Sequence, residues 1–151
     1  MDSTNLFKLI HTVEAVTNES IVMWNDAFPH NLGISPILVL GELERGGAQN
    51  QMKLAELLGF TGGAMTNIAG KLVKMDLAIR RSNEQDRRQV LLEITEEGVK
   101  VLTEAQALGQ KQHMELFEVL DTDEVAQYLA INEKILNNLK AKRTNREKES
   151  K

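Results

Sequence analysis

Two short helical repeats followed directly by two strand-like runs occupy the middle of the chain, and this order restricts the fold more than any other feature. Residues 51–58 and 61–74 each place apolar side chains at helical spacing, and Gly59 between them suits a sharp turn. The runs 78–82 and 89–94 flank a polar segment, as in a β-hairpin. We therefore predict a helix-turn-helix followed by a hairpin wing.

Capping residues mark where both helices of this unit begin. Asn50 precedes the first helix and Thr61 the second, and each side chain can accept a hydrogen bond from backbone N–H groups two or three residues further on. Local hydrogen bonding therefore predicts both helix starts. The apolar stripe expected to bury the second helix consists of Met65, Ile68, Leu72 and Val73.

Two helices are predicted before this unit. The first is long and amphipathic, and Phe28-Pro29 ends it because proline disfavours helical backbone in the residue before it. Ser35-Pro36 then begins a buried second helix, with the serine as its cap and the proline at the first helical position. Gly46-Gly47 closes that second helix.

Two further helices are predicted after the wing. Thr95 caps the first of them, which extends to about Leu120. Asp121 and Glu124 form a capping box for the last helix. Beyond Lys140 the sequence becomes basic and polar, and we expect the helix to fray there.

A length of 151 residues with 42% hydrophobic content suffices for one compact domain but hardly for two. We therefore predict a single domain over residues 1–151 that is mainly α with a small β-hairpin wing. Its winged helix-turn-helix core spans about 35–95, its dimerisation helices about 3–28 and 96–140, and its basic tail 141–151.

Charge is distributed unevenly along the chain. Although the net charge is −4, residues 71–90 carry six Lys or Arg against three Asp or Glu, a net of +3. Residues 91–139 carry three against ten, a net of −7. An acidic body with a basic wing region is what contact with nucleic-acid phosphates requires.

Several classes of protein are not expected. The chain has no cysteine, which excludes a disulfide framework and a thiolate zinc site. His11, His30 and His113 lack metal-ligand spacing, and no nucleophile stands with a base. We therefore expect no enzyme activity, no metal and no cofactor; zinc binding by a histidine is the alternative. With neither a spanning apolar run nor a secretory signal, we expect a soluble, cytoplasmic protein without a membrane partner.

Two motifs carry a family resemblance that covers nearly the whole chain. Residues 86–98, Asp-Arg-Arg followed by a strand and Thr-Glu-Glu-Gly, and residues 66–72, Thr-Asn-Ile-Ala-Gly-Lys-Leu, resemble the wing and recognition helix of the multiple-antibiotic-resistance regulator (MarR) family of bacterial winged-helix transcription factors. Two positions depart from the family pattern. Asn67 stands where the family often has arginine, and Asp76 stands where a glycine usually ends the recognition helix.

The resemblance implies a homodimer whose terminal helices interlock and whose two winged regions straddle a palindromic double-stranded DNA site. The first and last helices also carry apolar stripes that a lone winged core leaves uncovered. The alternative is that these helices pack only within the chain. The expected function is that of a transcriptional repressor which a small-molecule effector releases from DNA. The alternative is a non-catalytic protein-interaction module that has the same fold but has lost DNA recognition.

The expected DNA contacts lie at the start of the recognition helix and at the wing tip. Arginine at a wing tip can enter a narrow minor groove, where an aspartate can brace the guanidinium through a bidentate pair. The alternatives are a solvated charge run at the wing, and a cap with a loose first turn at the helix. The predicted contact residues are Thr61, Gly62, Gly63, Ala64, Thr66, Asn67, Lys71, Lys74, Asp86, Arg87 and Arg88.

Family members often bind a small anionic or aromatic effector between the dimer helices and the winged region. The lining expected here comes from the end of the first helix and the loop after it. Aromatic side chains at helical spacing more often fill a core, so core packing is the alternative for the two aromatics. The candidate residues are His11, Trp24, Phe28 and His30.

Overall fold

A computed structural model describes residues 3–149 and is mostly helical, with one small antiparallel sheet. The chain divides into two compact units, the first ending at Gln112 and the second beginning at His113. Within residues 3–149, every helix is too short or too polar to cross a membrane. The elements are α1 (Ser3–Ala27), α2 (Ile34–Gly46), β1 (Gln49–Asn50), α3 (Gln51–Leu58), α4 (Gly62–Lys74), β2 (Ala78–Ser82), β3 (Val90–Ile94), α5 (Glu96–Phe117) and α6 (Thr122–Glu149).

The start of α2 differs from the sequence prediction. Gly33 is the N-cap residue and no side chain caps the helix, so the prediction of a Ser35 cap is wrong. Pro36 is the third helical residue rather than the first. It is tolerated there because the first-turn N–H groups of a helix have no partner within the helix. The end of α2 is as predicted, with Gly47 at φ 71° after Gly46.

The helix-turn-helix of α3 and α4 forms as its capping residues predicted. Asn50 Oδ1 accepts the backbone N–H of Met52 at 2.8 Å and that of Lys53 at 3.3 Å. Gly59 ends α3 in the left-handed conformation, at φ 72° and ψ 27°. Thr61 Oγ1 accepts the N–H of Ala64 at 3.1 Å and so caps α4. Short-range hydrogen bonds therefore fix where each of the two helices begins.

Asp76 ends α4 in the left-handed conformation, with φ 59°. Its backbone N–H donates to Val73 O at 3.1 Å, and the N–H of Leu77 donates to Leu72 O at 2.9 Å. These two bonds make a Schellman motif, in which the residue after the cap is usually glycine. Aspartate can take this place because its short polar side chain tolerates the left-handed region better than most side chains do.

The wing is a three-stranded sheet in the order β1-β3-β2. Strands β2 and β3 form the predicted hairpin, with Arg80 opposite Leu92. The sequence reading missed β1, in which Asn50 pairs with Leu91. Two residues are too few to show the alternation of a strand, and Asn50 in the sequence predicts only a helix cap. Strand β1 thus joins the start of α3 to the wing.

The end of α4 is joined to the start of α5 by Thr95 and Gly98. The Thr95 hydroxyl donates to Asp76 O at 2.7 Å and accepts the N–H of Gly98 at 3.0 Å. A Cβ at Gly98 would lie 2.1 Å from Leu77 O, so only glycine fits there. The threonine and the glycine of the Thr-Glu-Glu-Gly motif thus each have a structural role.

The hydrophobic core is centred on the winged region. It also receives Trp24, Phe28 and Leu32 from the end of α1 and the loop after it, and Val101, Leu102 and Ala105 from α5. On α4, Met65 and Leu72 are buried, whereas Ile68 and Val73 are partly buried. The largest fully buried side chains are Val39, Leu40, Leu43, Leu54, Met65, Leu72, Leu92 and Leu102.

In contrast, α1 carries an exposed apolar stripe. Trp24 is the one buried residue of this helix. The helical spacing of the apolar side chains confirms the predicted amphipathic helix. No part of the first unit that the structure describes packs over them. The large apolar side chains left exposed on α1 are Leu6, Phe7, Leu9, Ile10, Val13, Val16, Ile21, Val22 and Met23.

The helices after the wing end at different places from those predicted. α5 stops at Phe117 rather than near Leu120, where the chain makes a turn. The capping box of Asp121 and Glu124 is confirmed, with reciprocal bonds of 2.9 and 3.0 Å. α6 buries no residue. Its exposed large apolar side chains are Val125, Tyr128, Leu129, Ile131, Ile135, Leu136 and Leu139.

The basic segment after Lys140 continues α6 as far as Glu149, so the prediction that it frays is wrong for the described residues. Lysine, arginine and glutamate are good helix formers, and Arg143 pairs with Glu147 one turn later at 3.3 Å. The last two residues of the predicted tail, 150 and 151, lie outside the described part of the chain.

Candidate nucleic-acid interface

The residues predicted to contact DNA along α4 lie on its exposed side. They are Thr61, Gly62, Gly63, Ala64, Thr66, Asn67, Lys71 and Lys74, and each is exposed. Met65 and Leu72, which are buried, hold the opposite side of the helix on the core. The helix therefore presents its first turn and one polar stripe to the outside.

Gly62 and Gly63 occupy the first turn of α4 without a structural need for glycine. A Cβ built at either position meets no heavy atom within 4 Å, and neither residue has a positive φ. By this measure they differ from Gly98, whose replacement would collide with the backbone. The two glycines leave the helix start bare of side chains, which permits another molecule to approach the backbone closely.

Asn67, Lys71 and Lys74 form one polar stripe further along α4. Their spacing of four and then three residues places them on one face of the helix. None of the three side chains makes a hydrogen bond or ion pair with another residue between 3 and 149. An amide, which can both donate and accept, is thus followed by two unpaired ammonium groups.

The wing tip is a turn closed by its own polar side chains. Asn83 N donates to Gln89 O at 3.1 Å, and Asn83 Oδ1 accepts the N–H of Gln85 at 3.1 Å. Asp86 Oδ1 accepts the backbone N–H of Arg88 at 3.1 Å. The expected pairing of Asp86 with a guanidinium is not what the structure has, because its carboxylate is used to shape the turn.

Arg87 and Arg88 extend from this turn as exposed side chains. Within residues 3–149, neither guanidinium has a carboxylate partner. Arg81, in contrast, pairs with Glu93 across the hairpin at 2.6 Å and is occupied in holding the two strands together. The tip thus carries two free positive charges, and Arg80 on β2 is a third exposed arginine without an ion-pair partner among residues 3–149.

Gln51 is a candidate interface residue that sequence reasoning missed. Its Nε2 atom lies 3.3 Å from Thr66 Oγ1, which joins the start of α3 to the exposed side of α4. The two residues are fifteen positions apart, and only the folded turn between the helices brings them together. A polar residue directly after the Asn50 cap was the one available signal, and it is equally typical of a solvated helix start.

The residues expected to line an effector site divide into two groups. Trp24 and Phe28 are buried and stacked, with ring centroids 4.4 Å apart, and His30 lies against Phe28 at 5.1 Å. His30 Nε2 is 2.7 Å from a carboxylate oxygen of Glu104. His11 is thirteen residues before Trp24 on α1, about 20 Å along the helix, and pairs with Glu14 at 3.4 Å. The structure thus brings three of the four together and leaves His11 apart.

A family sequence model described as the MarR family matches residues 30–89 of the chain. The HTH-type regulator YhbI of Bacillus subtilis is 29% identical over 101 residues, which are 67% of this chain and 65% of that protein. The multiple antibiotic resistance protein MarR of Salmonella typhimurium is 29% identical over 109 residues, which are 72% of this chain and 76% of that protein. The chain matches less than two thirds of the length of YhbI.

Solved structures extend the match over most of the fold. MarR of E. coli in its free form superposes with a TM-score of 0.73, at 28% identity, over 87% of this chain and 96% of that one. A mutant of the same protein in complex with operator DNA superposes with a TM-score of 0.76, at 26% identity, over 90% of this chain and 99% of that one. The chain thus matches the MarR family in sequence over residues 30–89 and is similar in fold to MarR of E. coli over most of its length.

The structure shows where the two departures from the MarR family pattern lie. Asp76 replaces a glycine and still adopts the left-handed conformation that the Schellman motif requires. Asn67 replaces an arginine on the exposed stripe of α4, where its amide is free of partners within residues 3–149. The first departure leaves the fold unchanged, and the second exchanges a charge for an amide that can pair with a base. Among residues 3–149, no group of three or more potential ligands could hold a metal ion.

Proposed function

We propose that this chain is a DNA-binding transcriptional regulator that acts as a homodimer on a palindromic operator. The observation that carries the proposal is the exposed start of α4. Its first turn has two glycines that the fold does not require, and the unpaired side chains of Asn67, Lys71 and Lys74 follow along the helix. MarR of E. coli, which has the same fold at 26% identity, has been crystallised with operator DNA.

The chemistry assigned to α4 is recognition in the major groove. Recognition helices contact base edges with their N-terminal residues, and the missing side chains of Gly62 and Gly63 allow the backbone to approach the DNA. The amide of Asn67 can pair with adenine through one donor and one acceptor. Lys71 and Lys74, one and two turns further on, are placed for phosphate contacts.

The chemistry assigned to the wing is contact with the minor groove. Arg87 and Arg88 are exposed and free of carboxylate partners within residues 3–149, so their charge is available to DNA. A narrow minor groove has an enhanced negative potential that attracts arginine. Asp86 supports this contact by holding the backbone of the turn rather than by pairing with a guanidinium.

Dimerisation is assigned to the helices at both ends of the chain. The apolar stripe of α1 and that of α6 are each exposed in a single chain. Exposed apolar stripes of this length exceed what soluble monomers usually carry, and a second copy of the same chain covers them by symmetry. Two winged regions, one from each protomer, then meet the two halves of a palindrome.

Regulation is proposed to follow the repressor pattern, in which a small anionic or aromatic ligand releases the DNA. Of the three candidate residues that lie together, His30 has the accessible side chain, with 31% of its surface exposed beside the Phe28 ring. An anion bound to His30 would compete with Glu104, its present partner. Trp24 and Phe28 are 7% and 5% exposed and serve the core.

The test is a titration against a palindromic duplex recovered from a random library, repeated on a scrambled duplex. Logarithmic affinity should fall with logarithmic salt at a slope of about 0.9 per neutralised phosphate, so two wings and two recognition helices should give a slope of several units. Arg88→Ala should weaken binding to both duplexes, because the minor groove distinguishes mainly A·T from G·C pairs. Asn67→Ala should weaken binding to the recovered duplex alone.

Arg143→Ala is the matched control, because it removes the same charge from an exposed arginine on α6. It should leave both affinities nearly unchanged. A parent protein that binds no duplex, or binds without salt dependence, favours the non-catalytic protein-interaction module instead. Equal binding by Arg88→Ala and the parent would mean that the wing tip does not contact DNA.

A further inference from the structure

The Thr66 hydroxyl on the exposed side of α4 is held from two directions. Its hydrogen is donated to Gly62 O one turn earlier, at 2.9 Å. Its oxygen lies 3.3 Å from Gln51 Nε2 at the start of α3. A threonine hydroxyl has one donor and two acceptor lone pairs, and both partners can be assigned from that inventory. The bond to Gly62 uses the donor, and the bond to Gln51 uses one lone pair.

This arrangement fixes the orientation of the Gln51 amide. Because the hydroxyl hydrogen of Thr66 is already donated to Gly62, only an N–H group of Gln51 can complete the contact. The carbonyl oxygen of the amide would face an oxygen that has no hydrogen to offer. The amide nitrogen therefore points to Thr66, and the orientation follows from the hydrogen-bond network rather than from the shape of the side chain.

The same inventory limits what Thr66 can offer to DNA. One lone pair of its oxygen remains, so the hydroxyl faces outward as an acceptor only. Phosphate oxygens are acceptors as well, and Thr66 could donate to one only by giving up its bond to Gly62. In the major groove, the groups that donate are the exocyclic amino groups of adenine and cytosine. Guanine and thymine present acceptors at the corresponding edge.

We propose that Gln51 and Thr66 act as one reading unit that selects adenine or cytosine at one position of each half-site. Thr66 makes the base contact, and Gln51 is a positioning residue that holds the hydroxyl with its lone pair outward. This inference rests on the proposed function, because it requires α4 to lie in the major groove of DNA.

The experiment is selection from a random duplex library by the full-length parent and by each variant. Gln51→Met keeps the length of the side chain and removes its amide, and Thr66→Val keeps the branched shape and removes the hydroxyl. The parent should enrich adenine or cytosine at one position of each half-site by about tenfold, and both variants should reduce that preference to about twofold or less, at the same position. Preferences at the other positions should be unchanged.

Matched controls are available on α5. Thr103 makes the same bond to the carbonyl four residues earlier, at 2.9 Å, so Thr103→Val removes an equivalent hydroxyl away from the interface. Gln106→Met removes the amide of an exposed glutamine on the same helix and is the control for Gln51→Met. Both controls should select the parental sequence. Thr66→Ser retains the hydroxyl and should retain the preference, and thermal melting of every variant confirms that it is folded.

The experiment distinguishes failure of the proposed function from failure of the reading unit alone. A parent protein that selects no sequence overturns the proposed function, and the reading unit falls with it. A parent that selects a sequence while both variants keep every preference overturns the reading unit alone. Loss of preference at two different positions, or a uniform loss of affinity on all sequences, also overturns it, because a single coupled contact predicts neither result.

Discussion

The winged region and the terminal helices use apolar side chains in opposite ways. Leu40, Leu43, Leu54 and Leu72 in the winged region have no exposed surface, whereas α6 buries none of its residues and α1 buries Trp24 alone. Both regions are helical and rich in leucine, isoleucine and valine. The difference lies in what covers the apolar side chains: the winged region covers its own, whereas those of the two helices would be covered in the proposed homodimer.

This contrast shows that an amphipathic pattern predicts a buried face without saying what buries it. Removing a leucine from the winged core should cost stability that belongs to the single chain. The same loss on α1 or α6 should instead be felt in association. The following substitutions test the contrast, beginning with the largest expected effect.

Leu43→Ala should lower the free energy of unfolding by about 2–5 kcal/mol, because it leaves a cavity at a position with no exposed surface. Leu38 lies on the same helix, but 48% of its surface is exposed. Leu38→Ala should therefore change stability by about 0.5 kcal/mol or less. Urea denaturation monitored by circular dichroism measures both. Equal losses for the two variants would contradict the assignment of the core.

Leu129→Asp should separate the homodimer, because it places a charge on the apolar stripe of α6. Burial of one leucine side chain contributes about 1.5–3 kcal/mol, and the dimer loses this contribution from each protomer. Sedimentation equilibrium at micromolar concentration should find a dimer for the parent and a monomer for the variant. Gln127→Asp adds the same charge on the polar side of α6 and should remain a dimer. A monomeric parent would mean that a second copy of the chain does not cover the apolar stripe of α6.

Gly63→Ala should separate stability from DNA binding. Alanine is favoured over glycine in a helix by about 1 kcal/mol, and the structure has room for the added Cβ. The variant should therefore be at least as stable as the parent but bind DNA more weakly, because the methyl group keeps the backbone away from the duplex. Gly109→Ala, which also has room on α5, should gain stability and bind DNA as the parent does. Unchanged binding by Gly63→Ala would show that the bare helix start has no part in recognition.

Asp76→Gly should have the smallest effect, a gain of about 0.5 kcal/mol in the free energy of unfolding, because glycine adopts the left-handed conformation without strain. Asp76→Ala should lose a similar amount, since alanine lacks the polar side chain that helps aspartate at such positions. Thermal melting at one protein concentration compares the three. A loss on introducing glycine would mean that the aspartate side chain stabilises the turn in its own right.

The elements that the sequence predicted well are those with a local cause. Asn50, Thr61 and the pair Asp121 and Glu124 each cap a helix through bonds that span three residues or fewer. The two hairpin strands were predicted from two strand-like runs and the polar segment between them. In each case the residues that cause the structure lie next to it in the chain.

The elements that the sequence did not predict have distant causes. Strand β1 exists because β3, about forty residues later, offers an edge to Gln49 and Asn50. The contact between Gln51 and Thr66 depends on the turn that folds α4 back against α3. Asp86 could bond either to a guanidinium or to a backbone N–H, and the shape of the turn decided between them. For the candidate site, the sequence suggested residues that the structure leaves exposed, but not the bonds that connect them. Their contact with DNA stays a prediction.

The absence of any buried residue in α6 has a consequence for the amount of protein that a cell must hold. A partner that binds only the folded form stabilises that form by mass action, and the gain grows with concentration. At low copy number α6 would be left to its helical propensity, whereas at high copy number a second chain would complete it. The abundance of this protein would then be one of the conditions of its own folding, and a cell that diluted it by growth would lose active protein faster than it lost chains.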